Sequence, residues 1–269
     1  MSFDYQRYQY VKVEKKDRLA LVTLNRPDNR NAIHMDAHGE LERIWSELAQ
    51  DEEVYAIVLT GAGRSFSAGG DINKMVERAG TVEGLKYTLK VPASTRRMFQ
   101  NILDVPQPII AAVNGDAVGL GATLALFSDI AIIAETAKFG DTHTKVGLVA
   151  GDGGTVVWPL LIGPSRAKEF LMRGMLVNGA EAHRMNLVNY AVPAGEVLPK
   201  AMAIAQELAQ MPIWAVRWTK LSVNKWLKDQ LNLLLDASVA FEMLSMNTHD
   251  HAEAARAFAE KRKPQFKGY

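Results

Sequence analysis

The sequence predicts an α/β fold in which mainly parallel strands carry helices on their outer side. Strand-type apolar runs alternate with helix-type runs for roughly the first two hundred residues. That order yields parallel strands joined by crossover helices. Two Gly-rich segments, GAGRSFSAGGDI (61–72) and NGDAVGLGA (114–122), each lie between a strand and a helix. After about residue 195 the strand signal disappears and only helical patterns remain.

The elements follow in order. YVKVE (10–14) and LALVTL (19–24) read as two strands joined by a tight charged turn at Lys15–Arg18. MDAHGELERIWSELA (35–49) places Leu41, Ile44, Trp45 and Leu48 at helical spacing, and VYAIVLTG (54–61) reads as a buried strand. A helix is expected around 93–103, a strand at PIIAAV (108–113), a helix over 119–127 and a strand at DIAIIA (129–134). A further helix begins near Thr155. Beyond 195, four successive helices are expected: LPKAMAIAQELAQM, IWAVRWTKLSVNKWL, QLNLLLDASVAFEML and HAEAARAFAEKRK. Leu231, Leu234, Leu235 and Val239 give them more apolar face than a lone hairpin needs, so these faces cover the core or meet another subunit. The expected division is a core over 1–205 and a helical region over 206–269.

Composition narrows the function. Apolar residues make up 48% and charged residues 23%, as in a folded soluble domain. The 31 basic and 30 acidic residues leave +1, which gives no field to draw nucleic acid or an anionic membrane. Cys is absent, which removes disulfides, thiolate nucleophiles and Cys-ligated metals. The polar N-terminus and the lack of a long apolar run lead to the expectation of a cytoplasmic protein without a membrane span. The histidines outside the 139–159 stretch lie at scattered polar positions, and only the HDH at 249–251, expected to be exposed, approaches ligand spacing. No metal is expected.

Gly-rich turns let backbone approach a ligand closely, and amides at a helix start bind oxygen anions. Neither segment fits a dinucleotide fingerprint or a phosphate loop. Each could be an ordinary turn. Two at the ends of neighbouring strands make a paired-amide oxyanion hole, of the kind that stabilises an enolate, the more pointed reading.

Over nearly its whole length the chain resembles the crotonase (enoyl-CoA hydratase/isomerase) superfamily. The resemblance is carried by LNRPDNRNAI (24–33), FSAGGDI (66–72), AAVNGDAVGLGATLALFSDIAIIAETAKFG (111–140) and AFAEKRKPQF (257–266). It implies a crotonase-like spiral of ββα turns, a C-terminal helical region used for trimerisation, and assembly as a homotrimer or a dimer of trimers. It also implies an acyl-CoA substrate, with coenzyme A entering as part of that substrate and no separate cofactor. By position, the amides of Gly70 and Leu120 would form the oxyanion hole. Ala68, Asp71 and Ile72 would line the adenine and pantetheine, and Arg26 would stand near the CoA phosphates. Lys261, Arg262, Lys263 and Lys267 could add phosphate contacts or form a solvated face.

The chain departs from the family pattern where hydratases carry two glutamates. Those positions are Thr123 and His143 here. A threonine hydroxyl is too weak an acid for proton transfer at neutral pH, so the two-glutamate hydration mechanism is not expected. His143 has an ordinary pKa near 6.5, which suits a base or proton shuttle. Asp152 follows nine positions on, in a GDGG turn before a helix. By themselves these residues are equally well a loop histidine and a helix cap. The resemblance extends to members that hydrolyse β-diketones, where a His and an Asp recur at this spacing ahead of a similar VVWP run. It implies a catalytic His143–Asp152 pair. Glu242 is expected as a solvated or interface carboxylate, or as a group reaching a neighbouring subunit's site, and Trp158 as core or tunnel wall. Three functions follow: an acyl-CoA lyase or isomerase working through a thioester enolate, a β-diketone C–C hydrolase, and a non-catalytic CoA binder. MVERAGTVEGLKY (75–87) carries no readable code for the acyl group.

Overall fold

The computed structural model describes residues 3–78 and 81–269; Met1 and Ser2 of the polar N-terminus, and Ala79 and Gly80 of the 75–87 stretch, lie outside the described residues. The first hairpin pairs β1 (Val11–Lys16) with β2 (Leu19–Leu24), with Asp17 and Arg18 in left-handed backbone at the turn. Helix α1 (Met35–Gln50) crosses to β3 (Ala56–Gly61), and Leu41, Ile44, Trp45 and Leu48 are all buried as their spacing requires. The carboxylate of Glu40 accepts the amides of Gln9, Tyr10 and Val11, which fastens the N-terminal segment to α1.

From β3 the chain repeats a unit of one long strand, one short strand and a helical return. β3 is followed by β4 (Ser65–Ser67) and helices α2 (Ile72–Arg78) and α3 (Val82–Asp104). β5 (Ile109–Val113) is followed by β6 (Asp116–Val118) and α4 (Leu120–Phe127). β7 (Ile130–Ala134) is followed by β8 (Lys138–Gly140), α5 (Gly154–Ile162), α6 (Pro164–Arg173), β9 (Leu176–Asn178) and α7 (Gly179–Arg184). β10 (Tyr190–Val192) closes the series. One sheet runs β1-β2-β3-β5-β7-β10, parallel from β2 onward, and the other short strands form a second sheet, β4-β6-β8-β9. This is the expected ββα spiral. β3 and β5 are buried along their whole length, which explains their unbroken apolar runs.

Three helices follow: α8 (Val197–Gln210), α9 (Ile213–Ser245) and α10 (His249–Ala259). The second and third helices expected from sequence are therefore one 33-residue helix. The polar run Lys228–Gln230 is a solvent-facing turn of α9 and contains no Gly or Pro to break it. The expected division at 205 falls inside α8, whose Ala201, Ala205 and Ala209 are buried. Helix α3 begins eleven positions before the expected start at 93 and continues through Pro92, with the Thr81 hydroxyl capping Gly84 N at 3.0 Å. Its buried face, from Val91 to Leu103, packs on α1 and α9, and this tertiary contact outweighs the amide that Pro92 lacks. Trp158 is core: it stacks at 6.4 Å on Phe139 and lies 6.0 Å from Phe170. Among the described residues no helix is long and apolar enough to cross a membrane.

Candidate active site

The site forms where the two Gly-rich turns meet. The first turn is held by the segment before it. Asn31 donates from its amide to Ala62 O and Ser65 O at 2.9 and 2.8 Å, and its side-chain oxygen accepts from Arg26 N at 2.9 Å. Ala68 N donates to Arg30 O and Ile33 N to Gly69 O, at 2.9 and 2.7 Å. The carbonyl of Gly69 is thus tied back, and Gly70 N has no hydrogen-bond acceptor among the described residues.

Only glycine fits at 69. Its φ is +82°, and a Cβ there would stand 2.5 Å from Val118 O in the second turn and 3.5 Å from Leu120 N. The Leu120 amide opens α4 after Gly119, and as a first-turn helical amide it has no intrahelical acceptor. Two amides from different strand ends are therefore brought side by side and left free, which is the requirement for an oxyanion hole. Ala68, Gly70, Ile72 and Met75 line one small cavity together with Gly119 and His143.

Gly119 brings the second component close. Its φ is +54°, and a Cβ there would touch the His143 ring, 3.3 Å from Cε1. His143 follows β8 in a short helical turn and is buried, so it is not an exposed loop histidine. Its Nδ1 lies 2.7 Å from Asp141 Oδ1, which also accepts His143 N at 3.0 Å, and its Nε2 lies 3.3 Å from Asp152 Oδ2. Asp152 does not cap α5: Gly153 takes that position and no side chain caps it. The two residues singled out by spacing do face each other across a hydrogen-bonding distance.

The flanking carboxylates decide the charge of the ring. Burial alone would lower the His143 pKa, but Asp141 and Asp152 outweigh it and hold the imidazole charged well above its usual range. A charged ring suits the proton-shuttle side of the expected role. Asp141 is the carboxylate that orients the ring, as the acid does in a catalytic triad, while Asp152 faces the other nitrogen. Asp141, His143 and Asp152 also offer ligand atoms within 4.8 Å of one another, a set that could hold a cation. Each ring nitrogen already faces a carboxylate oxygen, so protons satisfy the same geometry.

Two further groups reach the site that sequence reasoning placed elsewhere. Glu242 arrives on α9 of the same chain and is buried, not solvated. Its Oε2 lies 2.8 Å from where a Cβ on Gly151 would be and has no hydrogen-bond partner among the described residues. Burial first, then the charges of Asp152 and Asp141, push its carboxyl up to about 8, so it keeps its proton at neutral pH. His38 is half-buried where α1 meets Ser94 of α3. Its Nδ1 lies 3.1 Å from Ser94 Oγ, which in turn donates to Glu42 at 2.7 Å. His251 is likewise buried, with Nδ1 2.7 Å from Val146 O, so the HDH segment is not an exposed ligand triplet.

The remaining sequence candidates have structural partners. Thr123 is buried and its hydroxyl donates to Gly119 O at 3.2 Å, inside its own helix. Arg26 pairs with Asp71 at 3.1 Å and donates to Ala32 O at 2.5 Å, so two residues expected along the CoA path meet as an ion pair. In the tail, Arg262 is engaged by Glu253 and Glu260, while Lys261, Lys263 and Lys267 have no ion pair among the described residues.

Residues 14–269 match the family described as enoyl-CoA hydratase/isomerase. The chain is 35% identical over 258 residues to a short-chain-enoyl-CoA hydratase of Clostridium acetobutylicum, covering 94% of this chain and 95% of that one. It is 33% identical to a 1,2-epoxyphenylacetyl-CoA isomerase of Escherichia coli, covering 92% and 94%. Among solved structures, an enoyl-CoA hydratase/isomerase from Mycobacterium paratuberculosis superposes with a TM-score of 0.88 at 36% identity, covering 94% of this chain and 99% of that one.

Proposed function

The chain belongs to the enoyl-CoA hydratase/isomerase family and is an acyl-CoA-processing enzyme of that type; we propose that its chemistry passes through a thioester enolate handled by His143 and Asp152 in place of the usual glutamates. The observation that carries this reading is the His143 ring, clasped between Asp141 and Asp152 against Gly119.

The thioester oxygen is taken by the amides of Gly70 and Leu120, whose dipoles favour the charge that develops when the carbonyl becomes an enolate. Asp141 fixes the ring. The charged ring then donates its Nε2 proton to the substrate, while the Asp152 carboxylate accepts the proton drawn from the substrate or a water. Glu242, beside Gly151, enters the neutral-pH reaction as a protonated carboxyl and serves as a second acid. Coenzyme A is part of the substrate, and no separate cofactor is invoked.

The assembly is a homotrimer or a dimer of trimers. Its support is the apolar face on the first half of α9, where Trp214, Trp218, Val223 and Trp226 are all more than half exposed.

A second reading, β-diketone C–C hydrolysis, is favoured by one feature: an aspartate beside an imidazolium, with a protonated Glu242, can activate water and protonate a ketone enolate without any thioester. A panel of enoyl-CoA thioesters and cyclic 1,3-diketones, followed by thioester absorbance and released CoA, decides between them. The leading reading expects conversion of thioesters. Turnover of diketones alone would overturn it, and inactivity toward both, with CoA still bound, would make the chain a non-catalytic binder.

A further inference from the structure

Beyond the oxyanion cavity lies a chamber of about 360 Å³ between α2, α3 and α10. It shares Met75 with that cavity, so the two adjoin there, and under the thioester reading it is the space open to the acyl group past the thioester carbon. Its walls are apolar at Met75, Val82, Leu85 and Met246. Thr81, Thr88 and Asn247 add polar points, and among the described residues of the lining Arg78 alone carries a permanent charge. His251, at the far wall, is kept neutral by burial, opposed by its bond to Val146 O.

Arg78 differs from the other arginines near the site. Arg26 has Asp71, Arg97 has Glu42 and Arg96 has Asp236, whereas Arg78 has no carboxylate partner among the described residues. Its guanidinium lies 4.8 Å from the centre of the Tyr87 ring. Stacking on an aromatic face holds the plane and leaves the N–H edge free for a bidentate acceptor. Burial pushes the Tyr87 hydroxyl up to about 12, so the ring under Arg78 stays uncharged. An anionic acyl terminus that reaches Arg78 meets a guanidinium with no carboxylate partner among the described residues.

We propose that this chamber selects acyl groups ending in a carboxylate at the far end from the thioester, and that Arg78, held flat on Tyr87, is the residue that recognises it. The inference rests on the thioester reading above and adds the class of acyl chain. The carboxylate is bound by two parallel N–H···O bonds, the geometry in which Arg is strongest.

The test compares two saturated, unreactive ligands of equal chain length, adipoyl-CoA and hexanoyl-CoA, with free CoA as reference. Calorimetric affinities are measured for the native protein, Arg78→Met and Arg78→Lys, each checked for a native circular dichroism spectrum. The native protein should bind adipoyl-CoA about tenfold or more tighter than hexanoyl-CoA. In Arg78→Met that ratio should collapse toward one, and in Arg78→Lys it should be partly kept. A native ratio near one, or a ratio that survives Arg78→Met, overturns the proposal. So does equal weakening of all three ligands in Arg78→Met, which would assign Arg78 to the CoA phosphates. Absence of binding by any CoA ligand sinks the thioester reading itself and this proposal with it.

Discussion

Glu242 offers a prediction that needs no substrate. Folded, its carboxyl is pushed up to about 8; in the unfolded chain it returns to its ordinary 4.5. Below 4.5 both states hold the proton and the group has no effect on stability differences with pH. Between 4.5 and 8 the native state still binds a proton that the unfolded chain has released. Stability contributed by the protonated group is therefore lost as pH rises through this window, by up to about 1.4 kcal/mol per pH unit for one proton. Across the whole window the loss reaches a few kcal/mol, about 3–5 as an upper bound. Glu242→Gln keeps the shape and cannot ionise. Urea unfolding at pH 5, 6.5 and 8, at fixed protomer concentration, should give nearly equal stabilities at pH 5 and a variant more stable than the native protein at pH 8 by about 2 kcal/mol or more. The native-minus-variant difference reads Glu242 together with any change it causes at the neighbouring His143, whose raised pKa has the same sign of effect. A difference that does not change between pH 5 and pH 8 would refute a buried, protonated Glu242.

Three other outcomes are expected. Gly70→Pro deletes one oxyanion donor and should cost about 10²–10³ in turnover while the circular dichroism spectrum and melting temperature stay near native; normal turnover would remove Gly70 from the site. Asp141→Asn removes the charge at Nδ1 but can still accept from His143 N, so the imidazole pKa should fall and turnover should drop by about 10² or more. An unchanged pH–rate profile in that variant would reduce Asp141 to a local cap. Sedimentation should find assemblies built from trimers, and Trp218→Lys should shift them toward smaller species; a native monomer at micromolar concentration would contradict the account of the α9 face.

What was legible in the sequence was what local pattern determines. The runs at 19–24, 54–61 and 108–113 became strands because fully buried parallel strands must be continuously apolar. The Gly-rich turns were legible because Gly69 and Gly119 occupy backbone that other residues adopt only with strain. His143 and Asp152 were found by their spacing together with the family resemblance, but their geometry depends on the turn at Gly147 and Gly153, which no pattern rule reads. Asp141 was missed although it stands two positions before His143, where a short polar residue at a strand end looks like a turn former. Glu242 had no local signal. It enters the site because α9 runs unbroken for 33 residues and lays Ser238 and Glu242 against Gly151. A break placed near 228 in the sequence reading removed that continuity, and with it the means of placing Glu242.

The most direct measurement of the central claim is the turnover of His143→Ala, Asp152→Asn and the double variant on the best thioester found in the panel. Asp152 Oδ2 lies 3.3 Å from His143 Nε2, so in the proposed mechanism removing either should disable the same step. The account predicts large losses in both single variants and a double variant little slower than the worse of the two, because effects within one catalytic unit are not additive. Losses that multiply in the double variant, or a near-native rate in either single one, would contradict it.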